Sequence, residues 1–282
     1  MPELSWSPPG WKPGMRFCGH TPGLQSCPDY TEETTVDFLL YFSKICSFFV
    51  VLWYATTAVV HVTLMKVLPH SSKPHENSSV YVAQKFVAEF KCIIVSILAN
   101  MAVWHMLGQP GHEIYGPNIE AEMAGIVFVS FEVTDLVLGS LHGFMDRMYV
   151  VHHVMHIVLG LIIRCNCILG YTTAILASQE TSSCFLNYYL LMRHRSSHWS
   201  VALSRNLFAV AFSIWRMGLN TYGTAYFLRY YVPFMPPMVS PWQLHTMAVV
   251  LVLATSLQWF WGYEIIRLAL RPASAKAKKT NE

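Results

Sequence analysis

Asp146-Arg-Met-Tyr-Val-Val-His152-His153-Val-Met-His156-Ile-Val-Leu-Gly-Leu-Ile-Ile163 is an apolar stretch of membrane-spanning length that carries three histidines near its start. Ionisable groups at bilayer depth lose their water, so they are rare there unless they face a protein interior or an aqueous cavity and find a partner in it. On a helix, His152 and His156 are four residues apart, His153 and His156 three, and Asp146 lies two turns below His153. The pattern predicts polar groups that look into one space between helices.

The rest of the composition supplies the setting. More than half of the 282 residues are hydrophobic and only 12% are charged, which excludes a soluble domain and a disordered chain. The chain therefore reads as an all-α, polytopic transmembrane helical bundle. A net charge of +3 without a basic patch interleaved with aromatics gives no reason to expect a nucleic-acid partner. Five of the seven cysteines, Cys46, Cys92, Cys165, Cys167 and Cys184, lie in or beside apolar segments and read as small hydrophobes. Cys18 and Cys27 sit in a polar N-terminal tail and can pair if that tail is lumenal. Cys165 and Cys167 have no second pair nearby and do not read as a zinc site.

Residues 1–35 are punctuated by Pro8, Pro9, Pro13, Pro22 and Pro28 and have no apolar core of a cleavable signal, so an irregular lumenal tail is expected. Residues 36–81 hold a first membrane helix and a polar loop. About seven spans are expected, near 37–67, 82–107, 121–141, 145–163, 168–192, 207–228 and 242–270. The fifth carries Thr172, Thr173, Ser178, Gln179, Glu180, Thr181, Ser182 and Ser183, too polar to face lipid, so it is expected to be interior or broken. Trp242, Trp259, Trp261, Tyr230 and Tyr231 read as interface anchors. Pro233, Pro236, Pro237 and Pro241 read as loop punctuation. Lysine and arginine concentrate in the loop with Arg193, Arg195 and Arg205, at Arg147, and in the basic tail 272–282, whereas 108–120 has none. That bias puts the N-terminus in the lumen and the C-terminus in the cytosol, and leaves the sequon Asn77-Ser-Ser cytosolic and unglycosylated.

In this arrangement Asp135, Glu180, Arg216 and the histidines meet in the cytosolic half of the membrane, with Glu132 one turn from Asp135. Neutral histidines beside a carboxylate suit general-base chemistry, because the acid orients one ring and stabilises the imidazolium when a proton arrives. Such a site can deprotonate an amine or hydroxyl for attack on a thioester. The alternative is that the same groups only lock helices together, at ~1 kcal/mol or less per contact. Histidine boxes of the di-iron kind are too few. A single zinc on His152, His153 and His156 is the weaker reading, so no metal is assigned. His194 and His198 read as interfacial loop residues.

The ordered set Phe131-Glu-Val-Thr-Asp135, Asp146-Arg-Met-Tyr-Val-Val-His152-His153, Glu180-Thr-Ser-Ser-Cys-Phe185-Leu-Asn187 and Arg216 resembles the TLC-domain superfamily of multi-spanning membrane proteins over residues 82–271. Ceramide synthases belong to it and use a double histidine and downstream aspartates to move an acyl group from acyl-CoA to a sphingoid base. The resemblance implies a TLC-type bundle in the endoplasmic reticulum membrane. It also implies His152 and His153 at the centre of a catalytic set with Asp135 and Glu180 around them, and His156, Asp146, Arg216 and Asn187 are expected to bind substrate. Membrane lipid is the implied partner, acyl-CoA the co-substrate, and no resident cofactor is implied. Gln179, Glu180 and Ser183 depart from the ceramide-synthase pattern, and the Glu180-x-Ser182-x-x-Phe185-x-Asn187 form is similar to the smaller TLC domain-containing proteins, some of them linked to membrane phospholipid composition. Acyl transfer, a non-enzymatic lipid-binding regulator and a trafficking accessory therefore all stand as readings.

Overall fold

A computed structural model describes residues 20–21, 24–25, 32–106, 119–166, 170–234 and 240–269. Apart from a two-residue antiparallel pair, β1 (His20–Thr21) and β2 (Leu24–Gln25), the described chain is helical. Its helices are α1 (Glu32–Val62), α2 (Ser79–Met106), α3 (Ile119–Leu141), α4 (Arg147–Asn166), α5 (Gly170–Ser178), α6 (Glu180–Met192), α7 (Trp199–Ala211), α8 (Asn220–Tyr226) and α9 (Pro241–Ala269). Among the described residues four stretches, Leu39–Lys66, Ser79–His105, Glu120–Leu141 and Pro241–Arg267, are long and apolar enough to cross a membrane. The other three expected spans are helical too, but each falls short differently. α4 is shorter, α5 and α6 are interrupted, and α7 runs on through π-helical turns at Phe212–Leu219 and, beyond α8, at Phe227–Tyr231.

α2 is the axis of the bundle, packing on α1, α3, α5 and α6. Its inward face reads Val82, Ala83, Val87, Cys92, Val95, Ala99 and Ala102, each 1% exposed or less, at helical spacing. The opposite face, Phe86, Phe90, Ile93, Ile97, Met101 and Trp104, is open to the surroundings, as a lipid-facing stripe must be. Small residues set how closely the helices approach. Ala99, Ala124 and Ala177 meet where α2, α3 and α5 pack. At Gly160 of α4 a Cβ would overlap Val129 of α3.

Local chemistry explains the boundaries. Gly143, at φ 71, ends the turn after α3 in a conformation that side chains disfavour. Asp146 then caps α4, accepting from the Tyr149 N–H at 2.8 Å. Gln179 interrupts the fifth span with a single tight turn, its C=O accepting from both the N–H (3.1 Å) and the hydroxyl (2.8 Å) of Ser182. The expectation of an interior or broken segment is met on both counts, since Thr172, Ser178, Gln179, Glu180, Ser182 and Ser183 are all buried.

Some expectations need correction. The helix of the sixth expected span, α7, starts at Trp199, well before residue 207, because the His198 ring caps it by accepting from the Ser200 N–H. Tyr231 is fully buried in a core with Leu159, Ile163, Phe227, Met247 and Leu251 and does not anchor at an interface. Pro233 sits within the helical turn Val232–Phe234, and Pro241 is the first residue of α9, where its missing N–H is harmless. Most of the N-terminal tail, the 108–120 loop and the 272–282 tail lie outside the described residues.

Three loops share one end of the bundle: those following α1, α3 and α6. The Ser72 N–H donates to His194 O at 3.1 Å, and the rings of Tyr81 and Phe144 meet at 5.7 Å. Arg195 clasps this end together, donating to Leu191 O (3.0 Å), Pro69 O (2.8 Å) and Glu76 O. The buried Glu76 accepts from the Ser71 hydroxyl at 2.6 Å and lies 2.8 Å from His194 Nδ1. Burial by itself pushes the Glu76 carboxyl up. The hydrogen bonds from Ser71 and His194 and the charges of His194 and Arg193 outweigh it and hold the group below its ordinary value. His194 is thus part of a buried loop network, a role its position in a basic loop did not announce.

Candidate functional site

α3 and α4 build the first half of the site. Glu132 and Asp135, three apart and so on one face of α3, are both buried against His153 of α4, which is 2% exposed. His153 Nε2 lies 3.1 Å from Asp135 Oδ2 and 3.3 Å from Glu132 Oε2. Its Nδ1 lies 2.9 Å from the Tyr149 carbonyl, one turn back in the same helix. Of the two carboxylates only Asp135 has hydrogen-bond geometry to the ring, and Glu132 Oε2 has no hydrogen-bond partner among the described residues. Gln84 of α2 completes the arrangement, donating to Asp135 Oδ1 at 2.9 Å. Both ring nitrogens of His153 therefore face oxygen acceptors, and the ring cannot turn without losing one of them.

The second half is cationic. Lys91 of α2 reaches Glu180 Oε2 at 2.7 Å and Glu132 Oε1 at 3.6 Å, with its ammonium over the rings of Phe128 and Phe131 at 5.0 and 4.8 Å. The Cys92 thiol donates to Glu180 Oε2 at 2.9 Å. From the π-helical segment, Arg216 donates to the hydroxyls of Ser182 and Ser183 at 2.7 Å each and sits 3.7 Å from Glu180 Oε1. Three carboxylates are thus matched by Lys91, Arg216 and the His153 ring. This pairing offsets the large desolvation cost of buried charge.

His152 belongs to a different environment. Adjacent residues on a helix point about 100° apart, so when His153 faces the acids His152 cannot. Its ring packs edge-on against His156 at 4.2 Å and against Trp261 of α9 at 5.6 Å, and His156 meets Phe128 at 5.3 Å. His156 Nδ1 is enclosed and has no partner among the described residues. A polar ladder runs from the turn between α5 and α6 to α8 and α9: Gln179 donates to Asn220 Oδ1 (3.1 Å), Asn220 to Thr255 Oγ1 (3.1 Å), and Thr255 shares a 2.7 Å hydrogen bond with Thr224. Trp261 therefore lines the site, and Trp259 donates to Thr221 at 2.9 Å. Reading Trp261 as an interface anchor missed this inward contact, whereas Trp259 stays half exposed.

Of the residues singled out from sequence, Asp135, His153, Glu180 and Arg216 join one network, and His152 and His156 adjoin it. Asn187 stands at the edge, its amide 3.6 Å from Cys92 Sγ. Asp146 does not join them. It is an exposed helix cap, because the first turn of α4 has N–H groups that need an acceptor. Sequence reasoning passed over Lys91 and Gln84, read Cys92 as a small hydrophobe, and took Ser182 only as part of a polar span. Lys91 carried a usable signal, a lysine near the middle of an apolar span; Gln84 and the serines did not. Among the described residues, no three His, Cys, Asp or Glu side chains converge as a metal site would require.

A family model of the TLC domain matches residues 74–267, well over half of the chain, and contains every group of this network. No curated protein matches.

Proposed function

Since the chain belongs to the TLC-domain family, a membrane-lipid-related family, we propose that it transfers an acyl group from acyl-CoA to an amine- or hydroxyl-bearing lipid in the endoplasmic reticulum membrane, from a pocket open to the cytosol. The observation that carries this reading is the split between adjacent histidines. His153 is held at both nitrogens, whereas His152 lies against His156 with no acid on it.

The division suggests separate duties. His153, Asp135 and Glu132 fix the rotation of α4 and so aim His152 into the site. His152 takes the proton from the acceptor N–H or O–H as its lone pair attacks the thioester carbonyl. The carbon–sulfur bond then breaks, and the departing thiolate takes that proton. Glu180 holds Arg216 and Lys91 in place, and Arg216 and His156 border the substrate. Asp146, spent on capping, has no part in this scheme.

The test is acyl transfer by purified protein in nanodiscs, with labelled acyl-CoA and a panel of sphingoid bases and lysolipids. His152→Ala should lower turnover by about 10² to 10⁴ while thermal stability stays level. His153→Ala should lose both. Wild-type turnover in His152→Ala would remove the general-base role. A second reading rests on the charge balance of the network, whose ion pairs would serve equally as helix glue. A wild type that makes no product across the panel but still co-purifies with lipid would be a non-enzymatic regulator of membrane lipid composition.

A further inference from the structure

α9 carries a buried polar side chain that the scheme above leaves unused. Gln258 is 1% exposed, and its carboxamide oxygen has no partner among the described residues. It lies one turn from Thr255, which binds Asn220, and one turn from Trp261, which packs on His152. At Gly262, on the same face, a Cβ would overlap Met217 of the π-helical segment. α4 and α9 run antiparallel, with His152 beside Trp261 at one level and Ile163 in a cluster with Met247 at the other. His156 therefore falls near the level of Gln258. By this register the two atoms left unpartnered among the described residues, His156 Nδ1 and Gln258 Oε1, belong to residues within about a turn of one level on neighbouring helices.

We infer that Gln258 and His156 form a binding station for the hydroxyl of a neutral lipid. A hydroxyl offers one donor and two acceptor positions, which suits a carboxamide oxygen on one side and a ring nitrogen on the other. Both residues lie far from either end of their helices: His156 is roughly nine residues, or ~14 Å, from the start of α4, and Gln258 roughly eleven, or ~17 Å, from the end of α9. A charged or phosphate-bearing head has no counter-ion waiting there, because Lys91 and Arg216 are already paired with Glu180. The head that fits is small and uncharged. An orphaned amide oxygen in a dry interior is costly unless something occupies it. The station serves either reading of the function, since it requires binding and no chemistry.

The test compares 1,2-dioleoylglycerol with its 3-O-methyl ether, which keeps the chains and loses the donor, by native mass spectrometry of the purified full-length chain. Wild type should retain the alcohol about tenfold more tightly than the ether. Gln258→Leu should bring the ratio close to one by weakening the alcohol and leaving the ether unchanged. Equal retention of the two lipids by wild type would overturn the inference and leave water as the occupant. So would an undiminished ratio in Gln258→Leu. Should that variant fail to fold, Gln258→Met carries the same expectation, and the wild-type ratio is decisive by itself.

Discussion

The loop clasp around Glu76 and the ion network around Glu180 use the same residue types for different ends. In the clasp, Arg195 donates mainly to backbone carbonyls, those of Pro69, Glu76 and Leu191, with Asn77 Oδ1 at 3.3 Å beside them, and Asn77 is used from both sides. Asn77 Oδ1 accepts from the Ser71 N–H at 2.7 Å, and its amide donates to Ser71 O at 2.9 Å. Within the bundle the backbone is already bonded into helices, so Glu132, Asp135 and Glu180 have only side chains to pair with. A clasp of carbonyls shapes loops. A network of side chains couples helices and leaves some atoms over, as at His156 and Gln258.

The contrast predicts a ranking of damage. The largest effect should follow Lys91→Met, which leaves Glu132 and Glu180 short of a cation. Breaking a buried pair from one side costs about 3–5 kcal/mol. Denaturant unfolding in detergent measures the loss, and adding Glu180→Gln should recover part of it. A Lys91→Met protein as stable as wild type would mean the network is not charge-coupled. Arg195→Ala should cost less, about 2–3 kcal/mol, because its partners are carbonyls that water can reach once the loops part. Limited proteolysis should then cut within 69–80, while the histidine environment stays intact.

The smallest effect is set by pH. Glu76 is held below its ordinary value, so the folded chain binds fewer protons there than the unfolded chain. Its contribution is complete above the unfolded carboxyl value of about 4.3 and is lost as pH falls through the lower folded one. The stability difference between wild type and Glu76→Gln should be present near pH 5 and shrink below about pH 4. Melting curves across that range check it, and a difference that grows towards acid would reverse the sign.

Much of this was legible in the residues, and the parts that were not share a cause. A polar fifth span announced its own burial, because eight polar side chains cannot face lipid. Asp146 misled, because seven-residue spacing places it on the histidine face but says nothing of the helix starting one residue later. His194 was read as an interfacial loop residue, and its contact with Glu76 escaped for a related reason. Its partner Glu76 is 118 positions away, and only the meeting of two loops puts them 2.8 Å apart.

The sequence by itself determined that this is a helical membrane protein of the TLC-domain family with acids, histidines and an arginine inside its bundle, because hydropathy, motif order and the cost of buried charge are properties of the chain. Which histidine meets the acids was decided only in three dimensions. Helical geometry separates His152 from His153 by about 100° whatever the fold, but the rotation of α4 that gives the acids to His153 depends on Gly160 closing on Val129 and on Glu132 and Asp135 lying opposite. Those contacts join residues far apart in the chain, and no local pattern encodes them.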